Sequence, residues 1–404
     1  MRRYVRVTVV PVAVATLALS VSVGSAQFSS AATKSKAAVK VGIVTEKTGI
    51  FSAYTAEWLQ GVKIGLQYAT KGTDKVNGQR ISLNVVDDAD NPTTAAADFK
   101  SYVGAGYKII GGTVDSGIAT ELAPLAQQNK VLYISGPAAA DEVTGANRYT
   151  FRSGRQTYQD VQTAKSYIKA LGTGKTVLVL GQDFAFGQSY VTDATAAFGS
   201  LGDTVKSLLV PLTTTDFTPT ALQVQAMHPD IVFLAWAGAT GAPLAQALDQ
   251  QGIFANSKVI TGLANIATYQ FYGTAGLKFN YLSLYNWQSP HNAVNSYLIK
   301  GMRTQYHQYP DLFTADGFVW AQMVVRAIQT GQGTNVQKMI KGLEGWTFLA
   351  PKGPQTVRAS DHAMLQPMFQ VQLVSSVTGT YVPVTLATLT SAQTAPPVVA
   401  HFGG

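Results

Sequence analysis

The stretch VKVGIVTEKTGIFSAYTAEWLQG, Val39 to Gly61, decides the fold. It predicts a short buried strand (VKVGIV), a polar loop that contains glycine (TEKTGIFSAY), and a helix that begins at about Thr55. A strand that passes through such a loop into a helix is the first unit of an α/β domain. Loops at the carboxyl ends of strands line the ligand crevice in open α/β sheets. We therefore expect this loop, which carries Ser52 and Tyr54, to form one wall of a small-molecule site.

The composition narrows the class of protein. The chain has 404 residues, of which 46% are hydrophobic and 13% are charged. This length supports more than one hydrophobic core, so we expect two domains. The formal net charge is +8, but lysine and arginine are scattered. Because nucleic-acid binding needs clustered basic residues, we expect no nucleic-acid partner. The chain has no cysteine, which excludes thiolate catalysis, cysteine zinc sites and a lipid on an N-terminal cysteine.

The N-terminus has the layout of a secretory signal peptide. Met1–Arg6 is basic, Val7–Val23 is apolar and uncharged, and Gly24–Ala26 offers small residues for cleavage. A membrane anchor is the alternative, but the apolar run is shorter than the ~20 residues that a spanning helix needs. We expect cleavage after residue 26, a flexible spacer over residues 27–38, and an exported protein, periplasmic or extracellular, whose mature form does not span a membrane.

Strand and helix signals alternate over residues 39–285. Continuous apolar runs flanked by helices, such as IVFLAW at 231–236, indicate parallel strands that are buried on both faces. The same order of elements occurs twice, over residues 39–157 and 158–285. The predicted fold class is therefore α/β, with two Rossmann-like lobes and parallel central sheets. Three helices and a strand-containing segment follow, and the chain from residue 387 is rich in threonine, alanine and proline, which predicts a flexible tail.

Motifs for catalysis or a cofactor are missing from the sequence. Gly172–Thr176 is not a phosphate-binding loop, because Lys169 stands where the first glycine of that motif is required, with four residues between it and the Gly174–Lys175 pair. The five histidines show no metal spacing. We expect no catalytic residues, no cofactor and no metal. Asp87, Asp88 and Asp90 end a predicted strand. A divalent cation is one interpretation of these carboxylates. A solvated loop that also caps the helix after Pro92 is the other, and we favour it.

Several polar or small-residue stretches follow predicted strands, where a cleft would form. Ser116 begins a helix and offers a hydroxyl beside free backbone N–H groups, which suits a carboxylate. The alternative is that Asp115 or Ser116 only caps the helix. Four such stretches in two similar lobes favour a ligand cleft. They are residues 45–54, 113–117, 135–139 and 182–187.

In their order and spacing these stretches resemble the type I periplasmic binding proteins, of the leucine/isoleucine/valine-binding type that feeds ABC importers. The resemblance covers about residues 39–384. It is carried by the opening stretch and by three further ones. These are ISLNVVDDADNPTTAAADFKSYV (81–103), GGTVDSGIATELAPLAQQNKVLYISGPAAADEVT (111–144) and GQDFAFGQS (181–189). The resemblance implies a monomeric binding protein without enzymatic activity, with a small-molecule ligand and an ABC importer permease as its partners.

The resemblance also implies two lobes joined by a three-crossover hinge, which closes around the ligand. The crossovers are expected near residues 157, 285–287 and 357. The predicted division of the chain is then a signal peptide (1–26), a spacer (27–38), lobe 1 (39–157 plus 286–357), lobe 2 (158–285 plus 358–386) and a flexible tail (387–404).

The family's ligand-binding positions can be carried over to this sequence individually. The resemblance assigns an aromatic contact to Tyr54 and the carboxylate contact to Ser116. It assigns a backbone contact and a threonine position to the stretch that contains Ala138 and Ala139, so the threonine hydroxyl is missing. The aromatic residue of the far lobe falls on Phe186, which lacks the usual tyrosine hydroxyl.

The remaining family positions depart further from the pattern. A second aromatic position falls on Ala239, with Trp236 nearby. The acidic residue that holds the ammonium group of an amino acid falls on Ala264, next to Asn265.

These departures bear on the ligand class. A buried ammonium group without a carboxylate partner costs several kcal/mol. We therefore expect a neutral or anionic ligand, such as an aromatic or aliphatic carboxylate or an amide. A true amino-acid binder stays open if Glu57, Asp115 or Asp183 has taken the role of the missing acid. A ligand-sensing receptor domain is a further alternative, and a secreted hydrolase would need a nucleophile and a base in contact.

Overall fold

The structure is a computed structural model, and it describes residues 5, 7–9, 11 and 36–402. Most of the predicted signal peptide and most of the predicted spacer lie outside these residues. The compact unit that contains both sheets begins at Ala37.

The first sheet forms where the opening stretch predicts it. Its strand order is β2-β3-β1-β4-β5-β6, and all neighbours are parallel except the β2–β3 hairpin. Val41 of the central strand lies between Leu83 and Ile109. The elements are β1 (Val39–Thr45), α1 (Ser52–Ala69), β2 (Lys75–Val76), β3 (Gln79–Asp87), α2 (Pro92–Gly104), β4 (Ile109–Gly112), α3 (Ser116–Asn129), β5 (Leu132–Ser135) and β6 (Thr150–Arg152), with a 3-10 turn at Asp141–Val143.

The second sheet repeats this arrangement. Its order is β16-β15-β11-β10-β9-β7-β8, where β15 is Met368–Ser375 and β16 is Tyr381–Leu389. The strands β11, β10, β9, β7 and β8 are parallel, and β15 and β16 add to one side antiparallel. The elements up to the second crossover are α4 (Thr157–Ala170), β7 (Thr176–Gln182), α5 (Ala185–Gly199), β8 (Thr204–Val210), α6 (Thr218–Met227), β9 (Ile231–Ala235), α7 (Gly241–Gln250), α8 (Ile253–Asn256), β10 (Lys258–Gly262) and β11 (Asn280–Ser283), with 3-10 turns at Ile266–Thr268 and Gly273–Lys278.

The last third of the chain returns to the first lobe and then to the second. Its three helices pack on α1 and the first sheet, a small antiparallel sheet follows, and the last two strands extend the second sheet. The chain thus crosses between the lobes three times, which confirms the predicted fold class. The elements are α9 (Ala293–Tyr306), α10 (Thr314–Gly331), α11 (Val336–Leu343), β12 (Thr347–Ala350), β13 (Gly353–Val357), β14 (Met364–Leu365), β15 (Met368–Ser375) and β16 (Tyr381–Leu389).

The end of the chain differs from the flexible tail that its composition predicts. β16 continues to Leu389, and the residues after it pack on the turn after β13. Arg358 donates to the carbonyl oxygens of Pro396 and Pro397, and the Val399 amide donates to Asp361. These hydrogen bonds satisfy backbone groups that a free tail would leave to water.

Two helices far apart in sequence, α1 and α10, form the closest packing of the first lobe. Gly61 of α1 lies against the backbone of Thr314, and Gly317 of α10 lies against the backbone of Trp58. The indole rings of Trp58 and Trp320 stack edge to face at 5.3 Å. Because glycine has no Cβ, the two backbones approach closely, and the N-terminal ends of both helices are fixed beside the cleft.

The structure corrects two details of the predicted elements. α1 begins at Ser52, not Thr55, because the Tyr54 and Thr55 amides already donate to the Phe51 carbonyl oxygen. Tyr54 therefore lies in the first helical turn. The helix after Pro92 is capped by the Asn91 side chain, which accepts from the Thr94 amide. The neighbouring Asp88 is fully buried, so this turn is not the solvated loop that we favoured.

Candidate functional site

A cavity lies between the carboxyl ends of the strands of both sheets, and we call it the first cavity. The space between its lining residues is about 840 Å³, and part of it is open to solvent. Aromatic and aliphatic side chains form most of its wall, and Ser116, Arg155 and Asp160 supply polar groups. Lobe 1 and the first crossover contribute Phe51, Tyr54, Ser116, Ala139, Arg155 and Phe313, and lobe 2 contributes Asp160, Phe184, Phe186, Tyr190, Trp236 and Ala264.

Contacts between the lobes close one side of the first cavity. The Gly238 amide donates to the Tyr54 hydroxyl at 3.1 Å, and the Ala239 amide donates to the Ile50 carbonyl oxygen at 3.1 Å. Burial raises the pKa of Tyr54 to about 12, so its phenol stays neutral. These hydrogen bonds join the loop after β1 to the loop after β9 at this side of the cavity.

Ser116 lies at the start of α3 with its hydroxyl at the wall of the first cavity. Its Oγ accepts from the amides of Ala139 and Ala140, at 3.0 and 3.1 Å. A hydroxyl that accepts two hydrogen bonds still has its proton to donate. The amides of Gly117 and Ile118 are taken by the capping carboxylate of Asp115, so they are not the free N–H groups that the sequence suggested. Ser116 can therefore offer an O–H to a ligand.

Arg155 brings a positive charge to the first cavity. It lies in the crossover after β6 and donates through Nε to Asp160 (2.9 Å) and through Nη1 to the Pro137 carbonyl oxygen (3.2 Å). Burial alone would lower the pKa of Arg155, but the Asp160 carboxylate raises it, so the guanidinium is charged. A guanidinium has five N–H groups, and these two bonds leave donors for a ligand. Arginine binds carboxylates well because its donors form a planar fork.

Aromatic rings form the wall around these polar groups. Phe51 of lobe 1 stacks on Phe184 of lobe 2, with ring centroids 5.8 Å apart. Phe186 continues this row, 5.6 Å from Phe184 and 4.8 Å from Tyr190. The Tyr190 hydroxyl donates to Asp160 at 2.6 Å, so the carboxylate that holds Arg155 is itself fixed. Such a wall suits an apolar or aromatic ligand body.

A second cavity adjoins the first, because Tyr54 and Ala264 line both. Two carboxylates line it. Glu57 accepts from the Asn265 side chain and, at 3.4 Å, from the Phe313 amide. Asp311 accepts from the amides of Ile266 (2.8 Å) and Leu312 (2.9 Å). Burial, with the charge of Asp311, raises the pKa of Glu57 well above its ordinary value, and burial raises the pKa of Asp311 to about 6.

The predicted ligand contacts divide between these two cavities. Five residues from distant parts of the chain meet in the first cavity: Tyr54, Ser116, Ala139, Phe186 and Trp236. Ala239 and Asn265 line the second cavity instead. Ala138 lines neither of them, because its methyl group is buried against Ala119 and Val143.

The charged residues of the first cavity were not among the predicted contacts. Arg155 follows β6 closely, so the rule that strand ends carry functional groups could have identified it. Asp160 lies inside α4 and carries no such signal. Its position is evident only once the crossover brings α4 against the first cavity.

Replacing Ser116 with alanine should weaken binding of a carboxylate ligand about tenfold or more, because a hydrogen bond to a charged group contributes roughly 1.5–3 kcal/mol. It should also lower the free energy of unfolding by about 1–3 kcal/mol, since two buried amides lose their acceptor. Titration calorimetry and urea unfolding would measure the two effects. Ser189→Ala is the matched control: the buried Ser189 hydroxyl accepts from the Asp141 amide outside this cavity. That variant should lose stability and keep its affinity, and equal affinity losses in both variants would contradict the role of Ser116.

The raised pKa of Asp311 predicts that the free energy of unfolding depends on pH. Because its pKa in the folded state is raised from 3.8 to about 6, the folded protein binds more protons than the unfolded chain between these values. The free energy of unfolding should therefore fall as the pH rises from about 4 through 6, relative to Asp311→Asn. Urea unfolding of both proteins at pH 4, 5, 6 and 7 would test this. A difference between the two proteins that does not change with pH would contradict the prediction.

Comparison with known proteins identifies relatives over most of the chain. A sequence profile of the family described as Periplasmic binding protein matches residues 38–378. The Leu/Ile/Val-binding protein BraC3 of Rhizobium johnstonii is 25% identical over 231 residues, which are 55% of this chain and 61% of that protein. This match therefore spans less than two thirds of that relative's length.

Solved structures share the fold over a larger part. An ABC-type branched-chain amino acid transporter from Rhodopseudomonas palustris is 31% identical, with a TM-score of 0.73 over 89% of this chain and 99% of that one. A solute binding protein of an ABC transporter from R. palustris, in complex with 4-hydroxybenzoate, is 20% identical, with a TM-score of 0.81 over 87% and 97% of the two chains. Within the described residues of our chain, we find no helix with the length and apolar character needed to cross a membrane.

Proposed function

Because the chain belongs to the periplasmic binding protein family, in its type I branch of Leu/Ile/Val-binding proteins, we propose that it captures a small carboxylate between its lobes and delivers it to an ABC importer. The ligand would lie in the first cavity. Its carboxylate would accept from the Arg155 guanidinium and the Ser116 hydroxyl, and its aromatic or aliphatic body would contact Tyr54, Phe186 and Trp236. Closure of the lobes would then enclose it, as in hinge-type binding proteins.

The single observation that carries this proposal is the Arg155 guanidinium in the wall of the first cavity. Arg155 lines it with unused donors, and Ala264 lies at the position where the family's ammonium-holding acid is expected. Among the described residues that line this cavity, the only carboxylate is that of Asp160, and it already accepts from Arg155 and Tyr190. The cavity therefore favours an anion over a free ammonium group.

An amino-acid ligand is the second candidate, and the second cavity favours it. Glu57 and Asp311 line that cavity next to Tyr54 and Ala264, so a ligand that extends past Tyr54 would reach their carboxylates. This arrangement would be the rearranged ammonium site of the alternative hypothesis. Both carboxylates already accept backbone or side-chain hydrogen bonds, and their raised pKa values disfavour two negative charges there. We therefore prefer the carboxylate ligand.

The R. palustris binding protein solved with 4-hydroxybenzoate is consistent with this proposal, but it is not the evidence for the ligand class. At 20% identity that likeness shows the fold alone, so the ligand class rests on Arg155, Ser116 and Ala264. Export to the periplasm or cell surface is part of the same proposal, and most of the predicted signal peptide on which it depends lies outside the described residues.

A thermal-shift screen tests the proposal directly. The panel would contain benzoate, 4-hydroxybenzoate, 3-phenylpropanoate, 4-methylpentanoate and their amides, together with leucine, valine and phenylalanine. A ligand that binds only the folded state raises the melting temperature by mass action. We expect carboxylates without an ammonium group to give the largest shifts. Large shifts with the amino acids, and none with these carboxylates, would contradict the proposed ligand class.

A further inference from the structure

Three acidic residues that the proposed function does not use meet beneath the loop after β1. They are Glu46, directly after that strand, and Asp88 and Asp90 in the turn after β3. One carboxylate oxygen of each lies within 4.8 Å of the others. Glu46 and Asp88 are fully buried, at 0% exposure, and Asp90 is partly buried.

Two oxygens of this cluster find no hydrogen-bond donor among the described residues. Asp88 accepts from the Asp90 amide through Oδ1, and Asp90 accepts from the Ile50 amide through Oδ2. The other oxygens, Asp88 Oδ2 and Asp90 Oδ1, are buried and accept no hydrogen bond from residues 36–402. A buried, unpaired carboxylate oxygen is costly. Asp88 therefore supplies an observation beyond the clustering of acids: a fully buried side chain with an oxygen that still needs a donor or a cation.

The negative charge of the cluster is not balanced by a basic side chain of the described part of the chain. Among the described residues, none of the ion pairs formed by lysine, arginine or histidine involves Glu46, Asp88 or Asp90. Burying carboxylates close together without a basic partner is costly. A bound cation would offset that cost and supply the missing partner.

We propose that Glu46, Asp88 and Asp90 form a calcium site. Ca²⁺ binds oxygen ligands at about 2.3–2.6 Å, so two ligands on opposite sides of the ion are roughly 4.6–5.2 Å apart. Three oxygens within 4.8 Å of one another fit around such an ion. Mg²⁺ is smaller, demands near-ideal octahedral geometry at about 2.0–2.1 Å and gives up its water shell reluctantly, so a cluster of protein carboxylates suits it less than Ca²⁺.

The site lies where an ion would stabilise the walls of the first cavity. Glu46 also accepts from the Thr55 hydroxyl in α1 and from the amides of Val114 and Asp115, just before Ser116. Asp90 holds the Ile50 amide in the loop that leads to Tyr54. A cation bound by these carboxylates would therefore join the loop after β1, the turn after β3 and the start of α3.

The test uses the full purified chain without any cavity ligand, so its outcome does not depend on the proposed transport function. Calorimetric titration of the chelator-treated protein with CaCl₂ should show one binding event, and MgCl₂ should bind at least tenfold more weakly. Saturating Ca²⁺ should raise the melting temperature above that in EDTA by about 5 °C or more. No heat of binding and no shift with Ca²⁺ would overturn the proposal.

Asp88→Asn provides the decisive variant, because it keeps the shape of the side chain and removes its charge. It should lose the calcium-dependent shift and, in EDTA, melt at or above the temperature of the unchanged protein, since one repelling charge is gone. Asp98→Asn removes the same charge from the partly exposed side of α2 and should keep the full shift. A calcium shift that survives Asp88→Asn would overturn the assignment. Should that variant fail to fold, calcium titration of Asp90→Asn decides the question: a retained shift overturns the site, and a lost one supports it.

Discussion

Replacing Arg155 with methionine should weaken binding of a carboxylate ligand about 100-fold or more. The guanidinium is the positive charge that faces the first cavity, and truncating one partner of a buried charged contact costs roughly 2–5 kcal/mol. Calorimetric titration with the best carboxylate from the thermal-shift screen would measure the loss. Arg155→Lys should recover only part of the affinity, because lysine keeps the charge and lacks the planar fork of donors.

A second effect of this substitution must be separated from the first. Asp160 is fully buried, and removal of Arg155 leaves its charge unpaired, which should cost about 3–5 kcal/mol of stability. The double variant Arg155→Met/Asp160→Asn should regain much of that stability without regaining affinity. Arg80→Met, at an exposed position on β3, should change neither quantity. Unchanged affinity in a folded Arg155→Met protein would remove Arg155 from the site.

Gly317→Ala should lower the free energy of unfolding by about 3 kcal/mol or more, although it adds only one methyl group. A Cβ at this position would lie 1.9 Å from the Trp58 carbonyl oxygen, so the backbones of α1 and α10 must separate. Overpacking a well-filled core costs typically about 1–3 kcal/mol, and a backbone atom cannot rotate away as a side chain does. Urea unfolding would measure the change.

Gly104→Ala is the matched control for this prediction. Gly104 ends α2, and a Cβ there would contact nothing within 4 Å. The same substitution should therefore leave the stability unchanged or raise it by up to about 1 kcal/mol, since alanine favours the helix. A Gly317→Ala protein as stable as Gly104→Ala would contradict the close contact between α1 and α10.

The order of elements could be predicted because each strand and helix carries a local signal. The apolar run IVFLAW became β9, and the opening stretch became β1 and α1, as their patterns indicate. Contacts between distant segments have no such signal. Nothing in the residues near Gly61 indicates that α10 packs against them, because that contact depends on how the third part of the chain returns to lobe 1.

The candidate site could likewise be predicted only for residues that carry a local signal. Tyr54, Ser116 and Phe186 follow strands, and parallel strands bring such residues to one edge of a sheet. Arg155 and Asp160 belong to a crossover and a helix, so their meeting depends on the relative placement of the two lobes. The burial of Asp88 was also not predictable, since a run of acidic residues usually lies at the surface and only the packing of the loop after β1 covers it.

The most direct test of the carboxylate hypothesis compares ligands that differ only in the α-ammonium group. Calorimetry would measure the Kd of 4-methylpentanoate against leucine, and of 3-phenylpropanoate against phenylalanine, with the same protein preparation. Because Arg155 and Ala264 both line the first cavity, we expect the compound without the ammonium group to bind at least ten times more tightly in whichever pair that cavity accommodates. Tighter binding of leucine or phenylalanine would contradict the hypothesis and assign the ammonium group to Glu57 and Asp311.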